Sequence, residues 1–158
     1  MKGELDEIDR SILIALQQDG AISNAELARR ISLSPPAVHA RIKRLEELGY
    51  IQQYVAVLNR EKLGYDMLCL VGVTLQLHQP EHIDRFHEEV RRMPEVMECH
   101  FLTGDFDYLL KVVVRNRKEL ERFLMDRLTR IPGVSRVSTS LVLGEIKYSL
   151  SLPLDQAE

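Results

Sequence analysis

Residues 23–49 read SNAELARRISLSPPAVHARIKRLEELG, and this stretch predicts two short helices joined by a tight turn. Ser23 is a favourable N-cap for the first helix, and a glutamate three residues later gives the spacing of a capping box. Ser34 can cap the second helix, and Pro35 suits its first position, where no backbone N–H donor is needed. Gly49 follows the last apolar residue and is a typical C-terminal cap.

The second of these helices has one apolar side and one exposed side. Val38, Ile42 and Leu45 recur at i, i+4 and i+7, so they share a buried face. The residues expected to point to solvent are Pro36, His39, Ala40, Lys43 and Arg44. A DNA major groove can receive an exposed helix that carries such basic side chains.

A preceding helix completes the core of this small domain. Ile8, Ile12 and Ala15 recur at helical spacing within Leu5–Gln18. Three helices of this length form a bundle whose third member is presented outward, which is the geometry of a helix-turn-helix domain. We therefore expect residues 1–50 to form a DNA-binding domain.

The charge distribution supports this interpretation locally. The net charge of -3 argues mildly against a nucleic-acid binder, but residues 28–44 carry five cations and no acid. The acids cluster elsewhere, at Glu4, Asp6, Glu7 and Asp9. A solvated helix face is the plain alternative for a charge run alone. Because a concentrated basic patch matters more than the net total for phosphate contact, double-stranded DNA is the expected partner.

The expected DNA surface lies on the second helix of the pair and the turn before it. Ser34 can donate to a phosphate, and Lys43 and Arg44 can reach phosphates or guanine edges. His39 faces outward and can hydrogen-bond a base or a phosphate. The candidate residues are Ser34, His39, Lys43 and Arg44, with Ser32 and Arg41 supporting them at the turn and the flank.

Composition predicts a cytoplasmic protein without a membrane partner or a cofactor. The chain has 45% apolar residues in 158, which suits one or two domains with a core, and no apolar run of transmembrane length. No signal peptide opens the sequence. Cys69 and Cys99 lack the CxxC spacing of a zinc or redox site, so both are expected to be reduced and buried.

The second half changes from helical periodicity to alternating strands and helices. Tyr50–Leu58 is rich in β-branched and aromatic residues and predicts a strand, so residues 51–66 are expected to form a strand and a linker. The order that follows, β-α-β-β-α-β, is predicted over Leu68–Leu77, Pro80–Arg92, Val96–Leu102, Tyr108–Val114, Arg117–Arg130 and Val134–Leu143.

An internal repeat supports that order. RMPEV at residues 92–96 matches RIPGV at residues 130–134, and each leaves a helix to enter a strand. Two βαβ halves related in this way form a ferredoxin-like sheet with both helices on one face. The other face is expected to be uncovered while carrying Leu70, Val71, Val73, Leu109, Val112 and Val113. A homodimer would cover such a face.

Three segments resemble the Lrp/AsnC family of prokaryotic feast/famine transcription regulators. They are LDEIDRSILIALQQDG at residues 5–20, SPPAVHARIKRLEELGYI at residues 34–51 and LTGDFDYLLKV at residues 102–112. The resemblance implies an α+β fold, with an N-terminal winged helix-turn-helix domain and a C-terminal ferredoxin-like βαββαβ domain at residues 67–158. It also implies a dimer that can assemble into an octamer, and regulation by an amino acid or a related small molecule.

The same resemblance implicates Gly104, Asp105 and Asp107 in binding that effector. Gly104 allows a positive φ, so backbone N–H groups can approach a ligand carboxylate, and either aspartate can accept from a ligand ammonium. The final strand around Ser140–Leu143 would form the opposing wall. The alternative is a hairpin turn, in which glycine and aspartate are favoured without any ligand.

Other functions are disfavoured by the residue patterns. The histidines at 78, 82 and 87 lack HExxH spacing and are interpreted as solvated, so no metal site is expected. No nucleophile–base–acid arrangement is present, which argues against an enzyme. The remaining enzyme alternative is a sirohaem-decarboxylase-like protein of the same layout, in which His100 and Arg115 would line a tetrapyrrole cavity. A purely structural assembly module would not need the basic helix.

Overall fold

A computed structural model describes residues 5–76 and 79–154, which fold as two compact units. One unit comprises the described residues up to Val57 and those from Lys147 onward, and the other is Leu58–Ile146. The elements in chain order are α1 (Glu7–Gln18), α2 (Asn24–Arg30), α3 (Pro35–Glu47), β1 (Met67–Leu75), α4 (Pro80–Arg91), β2 (Val96–Phe101), β3 (Tyr108–Val114), α5 (Arg117–Arg122), a π-helical segment (Phe123–Leu128) and β4 (Val134–Leu141).

The first unit is the predicted three-helix bundle. Its core contains Ile12 of α1, Leu27 of α2, and Val38 and Leu45 of α3, all fully buried. The tail from Lys147 groups with this unit, since Leu152 exchanges hydrogen bonds with the Gln17 side chain.

The helix caps follow the sequence signals. Ser23 Oγ accepts from the backbone N–H of Glu26 at 3.1 Å, and Ser34 Oγ accepts from that of Ala37 at 3.4 Å. The carboxylate of Glu26 pairs with Arg29 and Arg30. The reciprocal capping box lies instead at the start of α1, where Asp6 is the N-cap.

The turn between α2 and α3 contains a strained residue. Ser32 has φ +56, and it is the one residue other than glycine with a positive φ in the described part of the chain. The next residue, Leu33, donates its N–H to the Ala28 carbonyl at 3.0 Å, which closes α2 in a Schellman arrangement. The side chain of Leu33 then packs on the helical core, so the turn sets where α3 begins.

The strain at Ser32 predicts that Ser32→Gly stabilises the protein. Left-handed backbone costs an L-residue about 1 kcal/mol or more, and the greater freedom of glycine in the unfolded chain removes part of the gain. We expect the free energy of unfolding, measured with urea, to rise by about 0.5–1 kcal/mol. Ser11→Gly, at an exposed position within α1, is the control and should lower it by about 0.5 kcal/mol. Equal losses in both variants would contradict strain at the turn.

The second unit is the predicted βαββαβ sheet, with strand order β2-β3-β1-β4 and all neighbours antiparallel. Both helical segments pack on one face. The buried residues that form this core include Val71, Val73, Phe86, Val90, Tyr108, Leu110, Val112, Phe123 and Leu128. The prediction that Val71, Val73 and Val112 lie on the uncovered face is therefore wrong. Alternation along β1 and β3 places their neighbours Leu70, Leu109 and Val113 on the open face instead.

Three further expectations are corrected by the structure. Tyr50–Leu58 forms no assigned strand, since β propensity alone does not create a ladder without a neighbouring strand. The predicted helix over Arg117–Arg130 is α-helical only to Arg122 and then π-helical to Leu128. Cys99 is exposed on the edge strand β2, whereas Cys69 is buried as predicted. Within the described ranges no helix is long and apolar enough to cross a bilayer.

Candidate DNA-binding surface and effector site

The exposed side of α3 has the composition that its periodicity predicts. Val38, Ile42 and Leu45 are buried. The recognition face, by which we mean Pro36, His39, Ala40, Lys43 and Arg44, is exposed throughout, which confirms the prediction. Pro36 and Ala40 have the smallest side chains of this face, Pro36 in the first turn of α3 and Ala40 near its middle, so the helix backbone can approach a groove closely.

Arg41, on the flank of this face, and Arg44, within it, are paired with carboxylates of α1 or its N-cap. Asp9 is fully buried, and its carboxylate accepts from Arg41 Nη1 at 2.8 Å and also from Arg44. Asp6 accepts from the same Arg41 nitrogen at 2.7 Å. Asp6 and Asp9, which the sequence places far from the basic helix along the chain, therefore lie against it in the structure. A buried carboxylate needs such partners, because removal from water strongly disfavours an unpaired charge.

The position of these carboxylates is set by the capping box of α1. Asp6 Oδ1 accepts from the Asp9 N–H at 2.7 Å, and Asp9 Oδ2 lies 3.4 Å from the Asp6 nitrogen. The hydrogen bond from the Asp9 backbone, and then the Arg41 guanidinium, hold the pKa of Asp6 below its usual value. The two carboxylates raise the pKa of Arg41. Asp6 and Arg41 are thus both charged at neutral pH.

The remaining candidate residues make weaker contacts. Lys43 Nζ lies 3.8 Å from the Glu47 carboxylate in a solvent-exposed pair, an arrangement that contributes little to stability. His39 Nδ1 lies 3.4 Å from Asn24 Nδ2. The Ser34 hydroxyl accepts the cap hydrogen bond and keeps its own proton to donate.

In the second unit, the two candidate aspartates of the hairpin between β2 and β3 have different environments. Asp107 Oδ2 accepts from the Leu75 N–H at 2.7 Å, and the Asp107 N–H donates to the Val73 carbonyl at 3.0 Å. Asp107 therefore fastens the hairpin to the end of β1. Asp105 is exposed, and Gly104 has φ +141, which confirms the expected positive φ.

Sequence reasoning missed the partners of the residue between these aspartates. The Phe106 ring lies over Gly72 of β1, where an added Cβ would meet ring carbons at 2.7 Å. The Arg136 guanidinium lies 5.7 Å from the centre of the same ring. The signal that was available is a lone glycine inside a strand, which often marks a close approach.

Within one chain, the part of β4 nearest the hairpin precedes the predicted opposing wall at Ser140–Leu143, which stays a prediction. Ser140 pairs with Leu70 of β1, whereas Ser138 pairs with Gly72, so the part of β4 beside Phe106 is Arg136 to Ser138. Thr74 Oγ1, in the same part of β1, is buried without a hydrogen-bond partner among the described residues. Within one chain, the hairpin is therefore joined to β4 through Arg136 rather than through Ser140–Leu143.

The residues named for the metal and tetrapyrrole alternatives have other contacts. His87 Nε2 lies 2.9 Å from the Tyr108 hydroxyl, and His100 Nε2 lies 3.1 Å from the Glu98 carboxylate. Arg115 lies over the Tyr65 ring. Across residues 5–76 and 79–154, no three potential ligands are grouped for a metal, while His78 lies outside those ranges.

Two family models match the two halves of the chain. A winged helix-turn-helix DNA-binding model matches residues 5–52, and the Lrp/AsnC ligand binding domain matches residues 68–152. The leucine-responsive regulatory proteins of Klebsiella pneumoniae and Escherichia coli (strain K12) are each 43% identical to this chain over 146 residues, which is 92% of this chain and 89% of theirs. The chain belongs to the Lrp/AsnC family.

Solved structures of this family have the same fold. Transcriptional regulator NMB0573 from Neisseria meningitidis, determined as an L-Met complex, matches with a TM-score of 0.92 and 36% identity over 96% of this chain and 98% of its own. AsnC from E. coli matches with a TM-score of 0.86 and 26% identity, over 94% and 98%. This Lrp/AsnC protein is accordingly a DNA-binding transcriptional regulator, and these relatives do not support the decarboxylase alternative.

The contact between Phe106 and Gly72 in this Lrp/AsnC protein predicts a specific loss on Gly72→Ala. Overpacking of this kind typically costs about 1–3 kcal/mol, because the ring or the strand must move. Gly144→Ala, where an added Cβ meets nothing within 4 Å, is the control. The double variant Gly72→Ala/Phe106→Ala should lose less than the sum of its two single changes in urea unfolding. Additive losses would contradict the contact.

Proposed function

We propose that this regulator contacts double-stranded DNA through Ser34, His39, Lys43 and Arg44, with Ser32 and Arg41 at the turn and flank. The main support for this proposal is the recognition face of α3, which is exposed and basic and has the small side chain of Ala40 near its middle. Lys43 serves a phosphate, because its ammonium is exposed and only weakly paired. Pro36 and Ala40 let the helix approach base edges, where Arg44 and His39 read hydrogen-bonding groups.

The DNA proposal predicts that Lys43→Ala weakens binding at every sequence. The duplexes are the DNA upstream of its own coding region and a scrambled version, titrated across a salt series. Loss of one phosphate contact should reduce the slope of log K against log salt by about 0.9. Lys118→Ala, at an exposed lysine in α5 of the second unit, removes the same charge and serves as the control. Equal behaviour of the two variants would contradict a DNA contact by Lys43.

We propose that an amino acid regulates the protein by binding at the hairpin of the second unit. Asp105 accepts from the ligand ammonium, and N–H groups at Gly104 meet its carboxylate. Asp107 positions the hairpin through its bonds to β1. The L-Met complex of the Neisseria relative and the match to a ligand-binding model support this assignment. The regulator acts in the cytoplasm, without a cofactor and without catalysis.

The effector proposal predicts that Asp105→Asn weakens amino-acid binding. L-Met and L-leucine are titrated calorimetrically into the full-length protein. A charge-assisted hydrogen bond contributes about 1.5–3 kcal/mol, so its loss should weaken binding roughly 10- to 100-fold. Asp84→Asn, at an exposed aspartate of α4, is the control. Unchanged affinity in Asp105→Asn would remove this carboxylate from the site.

We propose that a second copy covers the open sheet face, so that the working unit is a homodimer able to assemble into an octamer. This face carries Leu70, Leu109 and Val113, and within the described residues the helices of this unit pack on the opposite face, while the Phe106 ring covers only the part over Gly72. Leu143 and Ile146, after β4, are 94% and 99% exposed. Exposed apolar side chains of this kind are a feature of subunit interfaces.

The dimer proposal predicts that Leu70→Asp dissociates the protein. Leu70 lies in the middle of the open face, where an unpaired charge would be buried by the second copy. Leu63→Asp, at an exposed leucine in the loop before β1, is the matched control. Molar mass is measured by light scattering after gel filtration. A wild-type monomer, or a Leu70→Asp dimer as stable as that of Leu63→Asp, would contradict the proposal.

A further inference from the structure

A single side-chain nitrogen of Arg41 donates to two carboxylates, one buried and the other exposed. Its Nη1 donates to Asp9 at 2.8 Å and to Asp6 at 2.7 Å. Asp9 is fully buried, whereas the side chain of Asp6 is 50% exposed. The same guanidinium thus has one carboxylate partner inside the protein and another at its surface.

The buried partner cannot be released at low cost. A carboxylate excluded from water needs its cationic partners, and Asp9 also has Arg44 on its second oxygen. The backbone of Asp9 lies inside α1, and its N–H is the donor that Asp6 caps. Asp9 therefore holds Arg41 in place on the flank of the recognition face and Arg44 in place within it.

The exposed partner can be released. Asp6 uses Oδ1 for the cap and Oδ2 for Arg41, so it can lose the arginine and still keep the cap. Its freed oxygen would be hydrated, and exposed ion pairs are weak in water. A guanidinium prefers anions with paired oxygens, which a DNA phosphate offers as readily as a carboxylate.

We propose that Asp6 occupies the place of a DNA phosphate on Arg41 and is displaced when the regulator binds DNA, while Asp9 keeps the guanidinium in position. This inference rests on the proposed role of Arg41 at the flank of the DNA surface. Each DNA contact by Arg41 then requires one internal ion pair to break. Asp6 thereby lowers affinity for any phosphate backbone, so that contacts to base edges contribute a larger share of the total.

The variant that isolates this effect is Asp6→Asn. Asparagine is as good an N-cap as aspartate, so α1 keeps its cap while the competing charge is removed. Glu7→Gln removes one negative charge from the neighbouring exposed residue, which has no ion pair with Arg41, and so measures the general electrostatic gain. Asp6→Ser provides a second neutral cap, and thermal melts followed by circular dichroism verify folding of every variant.

The expected result is that Asp6→Asn binds the upstream duplex roughly two- to fivefold more tightly than Glu7→Gln at low salt. The difference should shrink as salt rises and should disappear in an Arg41→Ala background. In that background Asp9 keeps Arg44 as a partner. Equal affinities of Asp6→Asn and Glu7→Gln would overturn the displacement of Asp6 without contradicting the proposed DNA surface on α3. An Arg41→Ala protein that binds DNA like wild type would overturn the assignment of Arg41 itself.

Discussion

The buried carboxylate of Asp9 is the constraint on which the DNA-binding unit depends. It lies in the first turn of α1 and accepts from two arginines of α3, so it connects residues 32 and 35 positions apart in the chain. Removing one partner of a buried pair typically costs about 3–5 kcal/mol, which is a large part of the stability of a small domain. The apolar core orients α3 along its buried stripe, and these ion pairs add a directional contact at one flank.

This arrangement links folding to function through the same side chains. In the proposed DNA surface, Asp9 already holds Arg41 and Arg44 in place, so little of their side-chain freedom remains to be lost on binding. A pre-positioned cation of this kind binds with a smaller entropic cost than an exposed, weakly paired lysine such as Lys43. In the displacement that we propose, Asp6 offsets part of that gain, because its ion pair with Arg41 must break before a phosphate can bind there.

The second unit uses a carboxylate in a comparable way. Asp107 fastens the hairpin to β1 through backbone groups, and Phe106 fills the space above Gly72. The exposed Asp105 and Gly104 are consequently presented on a hairpin that is fixed at its base. A fixed hairpin suits recognition of a small zwitterion, since the loop need not become ordered when the ligand binds.

Much of this fold is predictable from local patterns. The stripe of Val38, Ile42 and Leu45 and the two serine caps identify α2 and α3, and the repeated R-x-P-x-V segments identify the βαββαβ order. The Asp9 contacts are not predictable in this way. Periodicity identifies the buried side of each helix separately and does not show that the first turn of α1 lies against α3. The sequence also could not decide whether Tyr50–Leu58 forms a strand. A strand needs a neighbouring strand to pair with, and the residues of this segment do not show whether one is present.

The two aspartates of the hairpin show the same limit. Their spacing is that of a turn and of a ligand site alike. The bonds of Asp107 to the Leu75 N–H and the Val73 carbonyl distinguish it from the exposed Asp105. The open face was misassigned for a related reason. Val71, Val73 and Val112 are apolar like their neighbours, and the register of β1 with β3 is needed to decide which of them face the helices.

The most direct test of the central claim is hydrogen–deuterium exchange of the full-length protein with and without a duplex from upstream of its own coding region. The account predicts slower exchange over Ser34–Arg44 and at the start of α1 when the duplex is bound, with α5 unchanged. Protection confined to the second unit, with α3 exchanging as in the free protein, would contradict a DNA surface on α3 held in place by Asp9.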